Sequence, residues 1–365
     1  MGLELVENKK KLIHIELIRV LAALLVIFNH TGLNGFFLFS SKPFATMPYF
    51  FYMTFAVICK IDVPLFLMIS GAVLLKKDLE SKKIIIKILR MILILTIFSA
   101  FFYIRLHLLN YSKVFSFGDF FIRLYKGDII IPYWYIYAYI SFLLAFPFLR
   151  AMIKSLPDYG YKYLICLAII FIGIIPYIQY RFFKGKVVLN QYGTVSWLLT
   201  NIVLFPIIGY YLENKIDISK INKKHIFISL AISFLLVLVS CYMTYIKHRT
   251  TGVCNENKTQ DFLDVFSLPI CISVYLSIKY LCNEISFPNW LNKSILSIGS
   301  CCFGIYLIHM SILESKLMNN LLTFLTKDIM LNYMLSIWLI CILTLIISYT
   351  IIFIIKLIPY AKKIL

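Results

Sequence analysis

Apolar runs of more than eighteen residues recur along this chain, and a run of that length limits folding more than any other feature here. Inside a hydrocarbon layer every backbone N–H and C=O must be satisfied within the protein, which leaves helices or a closed barrel. The runs lack the alternation of barrel strands, so they predict helices. Of the 365 residues 61% are hydrophobic and 15% charged, against roughly 45–50% and about 25% in soluble domains. The expected fold is therefore all-α, a polytopic integral membrane helical bundle of about ten transmembrane helices. The spans fall near 12–30, 50–75, 84–106, 131–152, 160–178, 195–213, 225–246, 262–283, 296–317 and 332–356. Lys60, Asp62 and Pro64 interrupt the second, whose outer half reads as an interfacial segment or a kinked extension.

Orientation follows from the distribution of cations. With the N-terminus in the cytoplasm, 21 Lys and Arg fall inside and 13 outside, with Arg19 and Lys60 in the membrane. The contrast is sharpest early, where Lys42 alone is outside against Lys76, Lys77, Lys82, Lys83, Lys87 and Arg90 inside. Both termini are thus expected in the cytoplasm. The first run is long, follows Lys9–Lys11 and lacks a small-residue cleavage pattern, so it reads as a retained span and not a signal peptide. No loop is long enough for a second folded unit, and residues 1–365 read as a single transmembrane domain without a soluble extension.

The net charge of +19 does not argue for nucleic acid. The cations are scattered over short loops, and topology signalling with contacts to membrane lipids or an anionic cofactor accounts for them. The nine cysteines show no C-x-x-C and no zinc-like Cys/His spacing, so no metal is expected. Only Cys254 sits in a polar loop; the others read as small buried hydrophobes.

The stretch Ile15 to His30 carries Glu16, Arg19, Asn29 and His30 in an apolar run. Arg19 and His30 are eleven residues apart, about 1100° of rotation, so they share one helix face roughly 16 Å apart along the axis. Glu16 lies one turn before Arg19, within pairing distance. Ionisable groups inside a span usually face a protein interior or a wet cavity; Arg19 snorkelling to the interface and His30 capping the outer end fit the same spacing. Asp62 and Ser70-Gly71 mark a second stretch, where small residues point to close helix packing and Ser70 has no base nearby in sequence. Lys83, Lys87 and Arg90 begin span three, as a plain basic loop or as a dock for donor phosphates. Trp134 opens an aromatic-rich span, and His309 follows Tyr306 by one turn. The outer loops near 107–130, 179–194 and 247–261 mix rings and charges, among them Tyr103, Tyr111, Asp119, Arg123, Tyr125 and Asp128, as an interfacial belt or a cup for a sugar.

Taken together, these stretches resemble the bacterial membrane acyltransferase family 3, in its short ten-span form. Arg19 and His30 match its R-x(10)-H motif. Asp62, Phe66, Ser70 and Gly71 follow roughly its D-x-F-F-x-x-S-G block, with Pro64 and Leu65 departing. Lys83, Lys87 and Arg90 resemble its R-x-x-R-I-x-P stretch without the proline, Trp134-Tyr135 and Pro147 its W-Y-L-Y-A...P region, and Tyr306 to His309 its Y-L-I-H motif. The resemblance implies a multi-pass protein of the bacterial plasma (inner) membrane. It implies transfer of an acetyl or succinyl group from cytoplasmic acyl-CoA to a hydroxyl of a cell-surface or lipid-linked glycan. His30 is then the candidate catalytic base with Arg19 its donor-side partner, and Glu16, Asp62, Ser70, Lys83, Lys87, Arg90, Trp134, Tyr306 and His309 are candidate substrate contacts. The other reading is a polysaccharide exporter or small-solute transporter on the same bundle, although no inverted repeat is evident. A sensor module is a third, with nothing fused here to serve.

Overall fold

The computed structural model of the chain describes residues 2–109, 116–183, 197–252 and 262–364. Tyr111, Cys254 and most of the predicted outer loops at 179–194 and 247–261 lie outside the described residues. All regular structure among the described residues is helical. In chain order the helices are α1 (Gly2–Asn29), α2 (Met47–Cys59), α3 (Asp62–Leu74), α4 (Ser81–Leu109), α5 (Phe117–Lys126) and α6 (Trp134–Ser155). There follow α7 (Asp158–Ala168), α8 (Ile175–Phe183), α9 (Asn201–Asn214), α10 (Lys223–Thr251) and α11 (Ser267–Glu284). The last are α12 (Asn289–Leu313), α13 (Lys316–Thr323), α14 (Tyr333–Ile355) and α15 (Pro359–Ile364).

Seven helical segments among the described residues are long and apolar enough to cross a membrane: Met47–Leu74, Ser81–Leu108, Ile131–Ser155, Asp158–Phe183, Lys223–Thr251, Asn289–Leu313 and Tyr333–Ile355. The other three predicted spans fall on α1, α9 and α11. Helix α9 has 14 residues, about 21 Å, short of the ~30 Å hydrocarbon core. It is also among the most enclosed, with Val203 to Gly209, Tyr211 and Leu212 all buried. A helix surrounded by protein is solvated by its neighbours, so it escapes the length and hydrophobicity that lipid contact demands. The peripheral helices show the converse. Ile85, Leu89, Ile92 and Leu93 on α4, and Phe227, Ile232, Phe234 and Leu235 on α10, are exposed, and apolar faces of that extent belong against lipid.

One boundary follows the expected interruption and one differs from expectation. The second predicted span is two helices, broken at Lys60-Ile61. There the Lys60 ammonium sits 4.8 Å above the Phe36 ring, and the Asp62 carboxylate accepts from the Val63 N–H at 2.7 Å. The predicted span at 296–317 ends at Leu313, because the Ser315 side chain accepts from the Met318 N–H and starts α13 in a new direction. The cysteines behave as small hydrophobes: Cys59, Cys241, Cys271, Cys282, Cys301, Cys302 and Cys341 are free and buried, and Cys166 is free on an exposed face.

Helices α3 and α9 cross with their backbones in direct contact. A Cβ on Gly71 would run into the Pro206 backbone, and one on Gly209 into the Met68 backbone. Gly71 thus has the packing role that its small size predicts. A second tie holds α9 to α1 and α11. The buried Glu213 carboxylate accepts from Tyr275 at 3.0 Å, bonds His14 at 2.9 Å and pairs with Lys279 at 3.5 Å. Lys279 also donates to the Leu212, Glu213 and Ile216 carbonyls that end α9. Where α3 leaves the bundle, Arg150 of α6 binds Asp78, and that hydrogen bond holds the Asp78 carboxyl below its usual range.

The crossing predicts a mutational contrast. Gly209→Ala is expected to destabilise the protein by about 1–3 kcal/mol through overpacking. Gly118→Ala on α5, whose nearest neighbour is the Ser116 Oγ at 3.8 Å, is expected to change stability by less than about 0.5 kcal/mol. Thermal unfolding of both variants in detergent micelles checks this.

Candidate active site

Helix α1 carries His14, Glu16, Arg19 and Asn29 toward partners within the bundle. The Arg19 guanidinium pairs with Glu16 one turn earlier. Glu16 is buried, and its second carboxylate oxygen has no hydrogen-bond partner among the described residues. Gly299 of α12 leaves the room for it, since a Cβ there would strike the Glu16 carboxylate. Arg19 opens onto a cavity of about 350 Å³ between α1, α3, α4, α6 and α12. Ser70, Lys87, Arg90 and Tyr306 share its wall with the rings of Phe66, Tyr135, Tyr139 and Phe303. Three cations at one aromatic-walled cavity suit an anionic ligand with a planar or apolar part.

A second cavity, of about 160 Å³, adjoins the first and has Tyr135 and Tyr306 in its wall as well. It brings together Asn29, His30, Lys60, Asp62 and Trp134. Asn29 donates to the Asp62 carboxylate at 2.8 Å, which ties the start of α3 to the end of α1 beside His30. Trp134 stands half-exposed at the wall. Of the residues singled out in the sequence, Lys83 lies apart: it is exposed and pairs with Glu80 at 3.6 Å on the first turn of α4.

His309 is fully buried on α12 and meets His30 directly, Nε2 to Nδ1 at 3.2 Å. Backbone carbonyls assign the protons, because a carbonyl can only accept. His309 Nδ1–H donates to the Tyr306 carbonyl at 2.7 Å, leaving its Nε2 an acceptor in the neutral ring. His30 Nδ1–H donates to the Val26 carbonyl at 2.8 Å, with His309 Nε2 as its second acceptor. The neutral His30 ring therefore carries its lone pair on Nε2.

Two reciprocal hydrogen bonds hold this centre together. Tyr306 donates to the Pro132 carbonyl, and Tyr133 donates to the Leu307 carbonyl at 2.7 Å. The turn before α6 is thereby pinned to the middle of α12. In the predicted outer group of rings and charges, Asp119 accepts from Tyr103 at 2.8 Å and pairs with Arg123 at 3.0 Å, bracketing α4 to α5. Those two partners, Tyr103 first, hold the Asp119 carboxyl below its ordinary value.

Sequence reasoning passed over Tyr133 and the His14–Glu213–Lys279 group. A signal for the latter was present, since Glu213 and Lys279 are ionisable groups at the ends of apolar runs. For Tyr133 there was none, because its partner lies 174 positions away.

These are the features of a multi-pass helical membrane protein with a polar site enclosed by its bundle. The family model described as an acyltransferase domain, that of acyltransferase family 3, matches residues 12–353, and the chain belongs to that family. Its activity class is accordingly membrane acyl transfer. No curated protein and no solved structure matches the chain.

Removing either tyrosine hydroxyl should loosen the site without emptying it. Tyr133→Phe and Tyr306→Phe are each expected to cost about 0.5–1.5 kcal/mol, the net worth of one such bond. Thermal unfolding of the single and double variants measures the cost and any coupling between the two bonds.

Proposed function

We propose that the protein is an O-acyltransferase that moves an acetyl or succinyl group from acyl-CoA to a hydroxyl of an extracytoplasmic or lipid-linked polysaccharide. The observation that carries this reading is the gathering of Arg19, Ser70, Lys87, Arg90 and Tyr306 around one cavity that shares two tyrosines with the cavity of His30. In this reading the chain crosses the bacterial plasma membrane ten times with both termini in the cytoplasm. The Arg19 end of α1 then faces the donor side and the His30 end the acceptor side.

The residues present fit an acyl-CoA. Arg19, Lys87 and Arg90 supply the cations that phosphates require, and the rings offer surfaces for an adenine or a thioester arm. The first cavity is small for a whole coenzyme, near the lower bound of about 300 Å³ for ligand pockets, so it takes the arm and the nearest phosphates. The roughly 16 Å between Arg19 and His30 is the reach of an extended pantetheine-like arm, which the shared wall of Tyr135 and Tyr306 would guide.

As a substrate, acyl-CoA supplies an activated carbonyl carbon. His30 Nε2 takes the proton of the acceptor hydroxyl while the new C–O bond forms at that carbon. The C–S bond breaks, and His30 returns the proton to the departing thiolate. His309 is a positioning residue: its Nε2 accepts from His30 Nδ1–H and fixes the tautomer that keeps Nε2 basic. It also stabilises the doubly protonated ring formed during transfer.

Isothermal binding of acetyl-CoA and transfer of radiolabelled acetyl groups in proteoliposomes test the scheme. His30→Ala is expected to lose about 10²–10⁴-fold in kcat, the usual contribution of a general base, with CoA affinity retained. Arg19→Ala and Lys87→Ala are expected to weaken CoA binding by roughly 10–100-fold each, the loss of one charge-assisted contact. A wild-type protein that binds no CoA would sink the reading in favour of transport. His309→Phe is expected to lower kcat and reshape its pH profile, with His309→Gln, which restores an acceptor, recovering part of both. Equal damage by the two would make His309 merely structural.

A further inference from the structure

Resting on that reading of His30, we infer that the acceptor occupies a third cavity, on the other side of the histidine, and that the group it takes is a hydroxyl on a neutral, hexose-sized ring. This cavity measures about 190 Å³ and is formed where α1 ends, between the turn after α12, the short helix α13 and the first half of α14. His30, Thr31, Asn34, Glu314 and Asn319 line it, with Met318 and Ile337 in its apolar wall. The one imidazole is thus in the wall of both this cavity and the one that adjoins the cation-lined chamber.

Charge separates the two sides. The chamber beyond Tyr135 and Tyr306 is lined by Arg19, Lys87 and Arg90, whereas among the described residues no Lys or Arg lines the α13 cavity and the charged group there is the Glu314 carboxylate. A phosphate-bearing donor finds no cation in that lining to hold it, and a neutral polyol needs none. Arg105 stands 3.7 Å from Glu314 and steadies that carboxylate. Asn34 Oδ1 accepts from Tyr333 at 3.3 Å, so its N–H₂ is the group turned to donate. A carboxylate to accept, an amide to donate and an apolar wall for the ring face are what a sugar requires. The volume equals about six waters of bulk liquid, enough for one ring.

The loop that shapes the cavity is held rigidly. Thr31 donates to the Phe28 carbonyl at 2.6 Å and accepts from the Phe36 N–H at 2.9 Å. The hydroxyl enters on this side and gives its proton to His30 Nε2. Its oxygen bonds to the acyl carbon presented from the other side, and the thiolate leaves toward the cations with the proton that His30 returns.

Membranes from the cell's own envelope, which carry the natural acceptor, are given radiolabelled acetyl-CoA. Label is then counted in the carbohydrate that extracts with organic solvent and in the polymer that does not. These two fractions distinguish a lipid-linked ring from one already in a polysaccharide. Asn319→Trp, which fills the cavity, is expected to cut incorporation about tenfold or more, a factor worth about 1.4 kcal/mol, while acetyl-CoA binding by the purified variant is unchanged. Asn320→Trp, one position along the exposed helix, is the control and is expected to incorporate normally. Glu314→Gln is expected to reduce incorporation without altering acetyl-CoA affinity.

Normal incorporation by Asn319→Trp would overturn the inference, as would a loss of acetyl-CoA binding in that variant, which would make the cavity part of the donor site. Label that enters lipid acyl chains and no carbohydrate would overturn the sugar class. A wild-type protein that fails to bind acetyl-CoA at all would instead remove the reading on which the inference rests.

Discussion

Helix α1 cannot face lipid, and the bundle is the arrangement that spares it from doing so. His14, Glu16, Arg19, Asn29 and His30 lie on about five turns of it, and each meets a partner from another helix or from α1 itself. A charged side chain in hydrocarbon is expensive even by the lowest estimates, about 2.5–3.5 kcal/mol each at a span centre. Placing α1 in the middle, ringed by α3, α11, α12 and α14, removes that cost. It also decides which other helices are released from the need to be apolar all round. The same enclosure that solvates α1 creates the cavities, because large polar side chains at a helix junction cannot interlock as aliphatic ones do.

Within that frame the polar groups are graded along the helix. The carboxylate of Glu213 and its three donors sit at one end, the Arg19 chamber comes next, and the histidine pair lies at the other end. The pair is notable for using only neutral hydrogen bonds. Each ring is anchored to a carbonyl of its own helix, so the orientation of both is set by backbone, which moves little, and not by solvent. That is the kind of support that holds a reactive nitrogen in place.

Much of this was legible in the sequence. The helical, membrane-crossing class followed from the length of the apolar runs, and the Arg19–His30 face from the helical repeat. The Glu16–Arg19 pair and the interrupted second span were visible for the same local reasons. The sequence was silent where partners are distant. Nothing near Tyr133 announces Leu307, and nothing near His30 announces that His309 would dock on its Nδ1. The count of ten spans rested on hydropathy, which measures suitability for lipid; α9 is packed by protein on every side and so need not satisfy that measure. Lys83 was grouped with Lys87 and Arg90 because a run of cations says nothing about which of them points outward.

The crossing of α3 and α9 has one more consequence. Two glycines that each admit the other helix's backbone form something like a dovetail joint, which resists both sliding and rotation. Helices α3 and α9 must therefore move as one piece, and the Ser70 side of the cation-lined chamber is fixed. Opposite stands α4, which bears Lys87 and Arg90, packs chiefly on α6 and α5, and turns a broad apolar face away from the bundle. Whatever breathing the chamber undergoes belongs to that wall, so Lys87 and Arg90 are carried by the door, and Arg19 and the Ser70 hydroxyl by the frame.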